Sequence, residues 1–371
     1  METLGLEVRR GYVVAAFAER GHRPVLIGDG RRTVIPYAVH GDRWGTAAAE
    51  HPDATWPTLE PPDEGLTSGD QMAFWGGLWA RLRHFLGVGK GTLSRIPVVV
   101  AFAGHPKDVW GVEWAADGPR GNVTVVSPPA AAAHAVPPVG NAETVHRVVC
   151  VGDVSAEAGT FRVRPAGVKA DGSEYTLAGV GSAYWAAAVV RQLDAVRPAY
   201  REWDRLRVWQ SVLELAAALN RDPAGHRRPW TGAHAGDLVT EVTFSTTCLD
   251  RVVEHAHLLT WLDTVKAAGT VERTWTAGLG SVFPIDWPAG FEPLPDAAHA
   301  VAVGASLFAH RHAPTPVTVL PPVAAPPPPP PPHPTGASGM PDAPKLPDLP
   351  PYGHRWVGGT TPTTPRSAAW R

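Results

Sequence analysis

Apolar and polar positions at the start of the chain alternate in short blocks. Three apolar runs, at residues 4–8, 12–18 and 24–27, are separated by polar segments that contain arginine, glutamate and glycine. Short apolar runs bounded by such turn residues are typical of antiparallel strands. We therefore predict that the chain opens with an antiparallel meander.

Longer apolar runs follow, and they predict further strands. Residues 96–103 and 145–154 are almost continuously apolar, which is typical of a strand buried on both faces. We also predict strands at residues 159–163 and 168–176, with a turn at Asp171-Gly172. Helical spacing of apolar residues predicts helices over residues 72–86, 183–193, 200–219, 248–267 and 297–309. Asp296 is the predicted N-cap of the last helix.

This order of elements predicts the fold class. Strands followed by helices occur in two successive blocks, which favours an α/β fold with two related lobes. Proline usage sets a boundary, because 19 of the 40 prolines lie in residues 314–371. We predict a folded region at 1–313 and a disordered, proline-rich tail at 314–371.

Charge and cysteine content narrow the possible functions. The 33 basic and 35 acidic residues nearly balance, so no basic field would attract nucleic acid or an anionic membrane. Cys150 and Cys248 are too few for a disulfide framework or a cysteine-built zinc site. No apolar run reaches the roughly 18 residues of a membrane helix. We expect a cytoplasmic protein that does not insert into membranes and does not bind nucleic acid.

Four stretches, in the same order along the chain, resemble segments of one family. They are residues 4–8 with 34–36 and 41–48, residues 126–134, residues 153–163 with 179–181, and residues 277–284 with 295–306. The third, for example, is similar to D-L-G-G-G-T-F-D-V, and the second to N-E-P-T-A-A-A-L. Together they resemble the nucleotide-binding domain of the heat-shock protein 70 (DnaK-type) chaperones, which share the actin-like ATPase fold.

The resemblance implies an architecture and a set of site residues. It implies a two-lobed fold, with lobe I at about 1–140, lobe II at about 141–295 and a closing helix at 296–310. The implied cofactor is ATP or ADP with Mg²⁺, which Glu7 and Asp153 would hold through water. The residues that the resemblance assigns to nucleotide binding are Gly5, Glu7, Asp153, Gly159, Thr160, Gly278 and Asp296. If the chain is active, Glu7 and Asp153 are also its candidate catalytic residues.

Several residues that the ATPase chemistry requires are missing. Backbone N–H groups of glycine loops approach phosphate in this fold, but Arg9 stands in the first loop, and Ser155-Ala156-Glu157-Ala158 replaces the glycine run of the second. The catalytic glutamate of the family falls on Pro128, which cannot accept a proton. The positions of the adenine clamp are Ser211, Glu214, Leu215 and Val282.

Two interpretations of the Arg9-Arg10 pair remain open. The arginines either neutralise phosphate in place of glycine N–H groups, or they form an ordinary solvated turn while Gly159, Gly278 and Gly304 serve packing or turns. Loss of the ATPase residues favours a degenerate ATPase that acts as an interaction or regulatory module. Its protein partner would bind through the tail or a lobe surface. The alternatives are an active ATP-hydrolysing, chaperone-type protein and an actin-fold small-molecule kinase.

Overall fold

We describe a computed structural model of the chain. Contacts divide the chain into two units, Met1–Ala313 and Pro314–Arg371, and every described residue lies in the first unit. The structure describes residues 2–30, 32–57, 66–89, 93–104, 111–115, 118–119, 121–187, 209, 213, 228–232, 240–244, 253–283 and 287–311. The predicted tail and the predicted helix at 200–219, apart from residues 209 and 213, lie outside the described residues.

The first sheet has six strands and forms around β1. Strand β1 pairs antiparallel with β2, which carries β3 and β4 on its far side, and β1 pairs in parallel with β7, which is followed by β8. The strands are β1 (Glu2–Val8), β2 (Tyr12–Glu19), β3 (Val25–Ile27), β4 (Val34–Pro36), β7 (Val98–Phe102) and β8 (Val123–Val126). The two-residue strands β5 (Val39–His40) and β6 (Arg43–Trp44) pair separately.

The second sheet also has six strands and forms around β9. Strand β9 pairs antiparallel with β10, which carries β11 and β12, and in parallel with β15, which is followed by β16. The strands are β9 (Thr144–Val151), β10 (Ser155–Arg164), β11 (Gly167–Ala170), β12 (Tyr175–Ala178), β15 (Arg273–Ala277) and β16 (Phe291–Pro293). A separate hairpin consists of β13 (Arg228–Gly232) and β14 (Thr240–Phe244).

The two six-stranded sheets repeat one topology. Their strand orders, β3-β2-β1-β7-β8 and β11-β10-β9-β15-β16, correspond strand for strand, with the same parallel and antiparallel pairings. The extra strands β4 and β12 also correspond, since each pairs with the second strand of its sheet. The mixed α/β class that the sequence predicts is therefore confirmed.

Helices cover the sheets and join them. They are α1 (Gly45–Ala49), α2 (Ser68–Leu86), α3 (Gly111–Trp114), α4 (Pro128–Ala133), α5 (Val253–Ala267) and α6 (Ala300–Arg311), with a 3₁₀ turn at Leu279–Val282. Helix α2 begins where the Thr67 hydroxyl accepts the Asp70 N–H, and it ends at Gly87 in the left-handed conformation. Among the described residues, no helix has both the length and the apolar character needed to cross a bilayer.

Apolar clusters connect the two sheets. One contains Val99 and Ala101 of β7, Val148 and Cys150 of β9, and residues of α4 and α6. A second contains Tyr12 and Val14 of β2 together with Val149 and Val151 of β9. The folded core is thus shared between the sheets.

Three local predictions are wrong. The strand predicted at 168–176 is two strands, β11 and β12, which both pair with β10, although the turn at Asp171-Gly172 lies between them as predicted. The loop predicted at residues 155–158 is displaced toward the N-terminus, because β9 ends at Val151 and β10 already begins at Ser155. Asp296 does not cap α6, which begins at Ala300, and Asp296 instead occupies the left-handed region at φ 52°.

Candidate functional site

The candidate site forms where two corresponding hairpin turns meet. In the first sheet Val8 pairs with Val13, and the Arg9 N–H donates to the Tyr12 carbonyl at 2.9 Å. In the second sheet Val151 pairs with Ala156, and the Gly152 N–H donates to the Ser155 carbonyl at 2.9 Å. Arg9 and Gly152 therefore occupy the same position in two equivalent four-residue turns.

The Arg9 guanidinium bridges the two sheets. Its Nε donates to Glu7 Oε1 at 2.9 Å within the first sheet, and its Nη1 donates to Glu157 Oε2 at 3.0 Å in the second. Arg9 is 3% exposed and Glu7 is fully buried. The interpretation of Arg9 as part of a solvated turn is therefore wrong.

Glycine at position 152 makes room for this guanidinium. A Cβ on Gly152 would lie 2.6 Å from Arg9 Nη1 and 2.7 Å from its Cζ, which is closer than carbon atoms approach such groups. The arginine of one turn thus packs directly on the glycine of the equivalent turn. An arginine and a glycine at corresponding positions are complementary here.

Asp153 makes the reciprocal contact. Its Oδ2 accepts the Gly11 N–H at 2.6 Å, so an acid of the second turn binds the backbone of the first. The Gly11 carbonyl accepts Trp56 Nε1 at 2.9 Å. We call Glu7, Arg9, Asp153 and Glu157 the Arg9 cluster.

Negative charge exceeds positive charge in the Arg9 cluster. Three carboxyl groups face a single guanidinium, and all four side chains are buried. Burial raises the pKa of Glu7 and of Asp153, and this effect outweighs the opposing attraction of Arg9. Burial alone would lower the pKa of Arg9, but Glu157 and Glu7 raise it above its ordinary value. The arginine is therefore charged, while the carboxyls of Glu7 and Asp153 hold protons more tightly than exposed ones.

Hydroxyl groups complete the network on both sides. Tyr12 donates to Glu7 Oε1 at 3.2 Å, and Ser155, at the equivalent turn position, donates to Glu157 Oε1. Glu7 Oε2 and Arg9 Nη2 are buried and have no hydrogen-bond partner among the described residues. The described network therefore leaves two buried polar atoms without a hydrogen bond, which is energetically costly.

Of the predicted site residues, only Glu7 and Asp153 belong to the Arg9 cluster. Gly5 packs against α6, where a Cβ would lie 2.1 Å from the Ser306 nitrogen. Gly159 and Thr160 lie inside β10, paired with Val148 and Arg147 of β9, as the strand predicted at 159–163 requires, and away from the turn that holds Asp153. A Cβ at Gly159 would lie 2.8 Å from the Phe161 ring, so the packing role considered for this glycine is confirmed.

Gly278 and Asp296 lie near the end of the second sheet. Gly278 adopts a φ of 86°, and a Cβ there would lie 2.5 Å from the Val151 carbonyl oxygen. Its N–H donates to the Ala297 carbonyl at 2.8 Å, which ties the 3₁₀ turn to the segment before α6. The Asp296 carboxylate bonds His299 Nδ1 at 2.8 Å. In this arrangement the two residues serve local packing and turn formation.

Pro128 occupies the first turn of α4. Ser127 caps this helix by accepting the Ala130 N–H at 3.3 Å, and its hydroxyl donates to Glu174 Oε1 at 2.6 Å. Burial raises the pKa of Glu174, which sequence reasoning did not single out. A hydroxyl and a distant carboxyl thus stand beside the position where the family has its catalytic glutamate.

The positions of the predicted adenine clamp are only partly described. Ser211, Glu214 and Leu215 lie outside the described residues, whereas Val282 lies in the 3₁₀ turn and packs against an apolar cluster. That cluster contains Trp56 and Trp209, whose rings are perpendicular at 5.5 Å, and Trp185 against Phe283 at 4.7 Å. Aromatic packing therefore fills the region around Val282.

The charge and the contacts of the Arg9 cluster limit which ligands it can bind. Within the part of the chain that the structure describes, no group of three or more His, Cys, Asp or Glu side chains has the geometry to hold a metal ion. The guanidinium already lies between Glu7 and Glu157 at hydrogen-bonding distance from both. The arrangement forms an ionic bridge between the two sheets. No family model and no curated protein matches the chain.

Proposed function

We propose that the chain has a degenerate actin-like ATPase fold of the heat-shock protein 70 type and acts as an interaction or regulatory module. In this proposal it neither hydrolyses ATP nor depends on it. A protein partner binds a lobe surface or the proline-rich tail, and the chain works in the cytoplasm.

The repeated topology supports the fold assignment. Two six-stranded mixed sheets with matching strand order are what an internally duplicated, two-lobed ATPase fold requires. The hairpin turns of the two sheets face each other, as phosphate-binding loops do in the family that the sequence resembles. Lobe I would correspond to the first sheet and lobe II to the second.

The position of Arg9 carries the functional proposal. Its guanidinium fills the space between the two turns and uses Glu7 as an ion-pair partner. The excess negative charge of Glu7, Asp153 and Glu157 would also repel a phosphate chain. These residues do not fit ATP or ADP with Mg²⁺ held through Glu7 and Asp153, so we derive no catalytic step.

Calorimetry on the full chain tests this proposal. Titration with Mg-ATP and Mg-ADP should give only the heat of dilution at tens of micromolar, and phosphate release should equal the blank. Micromolar binding with phosphate release that Asp153→Ala abolishes would establish the alternative, an active ATPase. Asp171→Ala is the matched control, because Asp171 is an acid of the same sheet that pairs with Arg162.

A second experiment distinguishes the tail from the folded surface. In the full chain, Tyr352, Trp356 and Trp370 are replaced together by alanine, and the proteins cross-linked to each version are compared. Loss of a partner assigns its binding to the tail. An unchanged set assigns binding to the folded surface, and an absence of any partner with either chain contradicts the interaction proposal.

A further inference from the structure

We propose that the Arg9 cluster holds the two sheets permanently in one closed arrangement, so that Arg9 supplies from within the chain the bridge that a bound ligand would otherwise supply. This inference rests on the proposed loss of nucleotide dependence. It adds that the folded region offers one constant surface to its partners instead of two alternating ones.

The bridge is built from contacts that cross between the sheets. Arg9 and Glu157 are separated by 148 positions in sequence, and Gly11 and Asp153 by 142. One contact runs from a side chain of the first turn to the second sheet, and the other runs back from the second turn to the first. Any motion that separates the two turns would therefore have to break both contacts.

Separating the sheets would leave charges in a costly state. Arg9 and Glu157 have side-chain exposures of 2% and 5%, so both have already lost their water. Removing one partner of such a pair strands a buried charge, which is strongly destabilising. A partly opened state therefore loses this interaction before water can replace it.

Close contacts at two glycines, Gly5 and Gly304, also fix the positions of the elements that pack there. Helix α6 crosses β1 at Gly5. It crosses α4 at Gly304, where an added Cβ would lie 2.0 Å from the Ala131 carbonyl oxygen. Backbone-to-backbone contacts of this kind leave no space for sliding. The Arg9 cluster and α6 thus restrain the same pair of sheets at two places.

Cys150 is a natural reporter of opening. It is fully buried in β9, in the apolar cluster that also contains residues of β7, α4 and α6. Burial raises the pKa of its thiol, so the folded state protects it from alkylation. In a Cys248→Ser background it is the single thiol of the chain.

The experiment measures iodoacetamide labelling of Cys150 in the full chain across a denaturant series. If the sheets do not open separately, labelling of the starting protein requires global unfolding, and its protection equals the free energy of global unfolding. Arg9→Gln should create a sub-global opening whose labelling rate depends less steeply on denaturant than global unfolding does and is about a hundredfold faster, the order expected when a buried ion pair is broken.

Two further variants keep the result interpretable. Arg162→Gln removes an exposed arginine that pairs with Glu143 and Asp171 within the second sheet, and it should leave labelling unchanged. Arg9→Lys keeps the charge but loses the two-pronged donor. It should give an intermediate rate, and it replaces Arg9→Gln in the test if that variant does not fold.

Either of two results would overturn the proposal. The starting protein could already label through an opening that depends less steeply on denaturant than global unfolding does, or the Arg9 variants could label only through global unfolding. Two different measurements test this inference and the proposed function. Calorimetry with Mg-ADP tests the proposed function, and cysteine labelling of the ligand-free chain tests the permanent bridge. Nucleotide binding in calorimetry contradicts the proposed function, whereas free opening of the ligand-free chain contradicts the permanent bridge.

Discussion

The turns after β1 and after β9 have the same backbone hydrogen bond but opposite chemistry. The first carries Arg9, Arg10 and Gly11, and the second carries Gly152, Asp153 and Val154. Arg9 packs on Gly152, and Asp153 binds the N–H of Gly11, so each turn supplies what the other lacks. A duplicated hairpin has thus become an asymmetric, complementary pair, in which a cation from one copy meets the acids of both.

The strongest way to break this complementarity is a side chain at position 152. Gly152→Val should lower the free energy of unfolding by roughly 3–5 kcal/mol, because the new side chain must displace the guanidinium from its carboxylates. Urea denaturation measures the change. Gly76→Ala in α2 is the control, since no atom lies within 4 Å of the added Cβ, and it should stabilise slightly. A Gly152→Val variant as stable as the parent would contradict the packing of Arg9 on Gly152.

Replacing the ions by apolar residues sharpens the comparison. Arg9→Met alone should cost about 3–5 kcal/mol, because Glu7 and Glu157 lose their cation. Adding Glu7→Leu and Glu157→Val should recover most of that loss, since apolar substitutes for buried ion pairs are often neutral or better. Valine is chosen because Val14 occupies the equivalent place in the first hairpin, opposite Glu7. The triple variant should therefore unfold at higher urea than Arg9→Met, and equal midpoints would argue against an ionic origin of the effect.

The pH dependence of the unfolding free energy tests the excess of acidic over basic groups in the Arg9 cluster. The raised pKa values of Glu7 and Asp153 mean that the folded chain binds their protons more tightly than the unfolded chain does. Their stabilising contribution is complete below the ordinary carboxyl pKa of about 4 and disappears as pH rises through the raised values. The parent should therefore gain stability relative to Glu7→Gln when pH falls from 8 to 5.

Glu143, an acid on the surface, should change stability with pH in the opposite direction. The hydrogen bond from Arg162 lowers the pKa of Glu143, so that carboxyl contributes stability above its ordinary pKa and loses it in acid. The parent should lose stability relative to Glu143→Gln as pH falls toward 3. Unfolding midpoints measured at each pH give both comparisons, and the same sign for both variants would rule out the buried excess of acids.

The smallest predicted effects concern the two hydroxyls. Tyr12→Phe removes the bond to Glu7, and Ser155→Ala removes the equivalent bond to Glu157. Each should cost about 1 kcal/mol, the usual net value of one hydrogen bond. Tyr175→Phe on the exposed face of β12 should change the unfolding free energy by less than half as much. Unequal losses of unfolding free energy in Tyr12→Phe and Ser155→Ala would show that the two hairpins do not stabilise their glutamates equally.

Local sequence patterns predict about half of the described strands and the three longest described helices, α2, α5 and α6, but not the chemistry of the site. The apolar blocks around β1, β2, β7 and β9 predict their strands because burial and β-branched side chains act locally. An Arg-Arg-Gly segment between two strands, in contrast, is typical of a solvated turn. Its burial depends on Glu157 and Gly152, which lie more than 140 positions away.

Other misses have similarly specific causes. The sequence shows Glu157 in the segment that replaces the second glycine run, but its counter-ion, Arg9, cannot be identified without the pairing of the two hairpins. Asp296 follows a proline and precedes an alanine-rich segment, which favours an N-cap, yet its bond to His299 holds it in a turn outside α6. Glycine at position 152 is a usable signal in retrospect, because a duplicated turn with arginine in one copy needs a small residue in the other.

The contact between Gly5 and α6 has a consequence for the order in which the chain can fold during synthesis. Strand β1 is the first described element, and the helix that packs on Gly5 through Ser306 is the last. A ribosome adding about 5–20 residues per second therefore exposes β1 for roughly 15–60 seconds before its packing partner is made. During that interval the side of β1 that packs on α6 has no helix against it, so a chain arrested before α6 should bind general chaperones and resist proteolysis poorly.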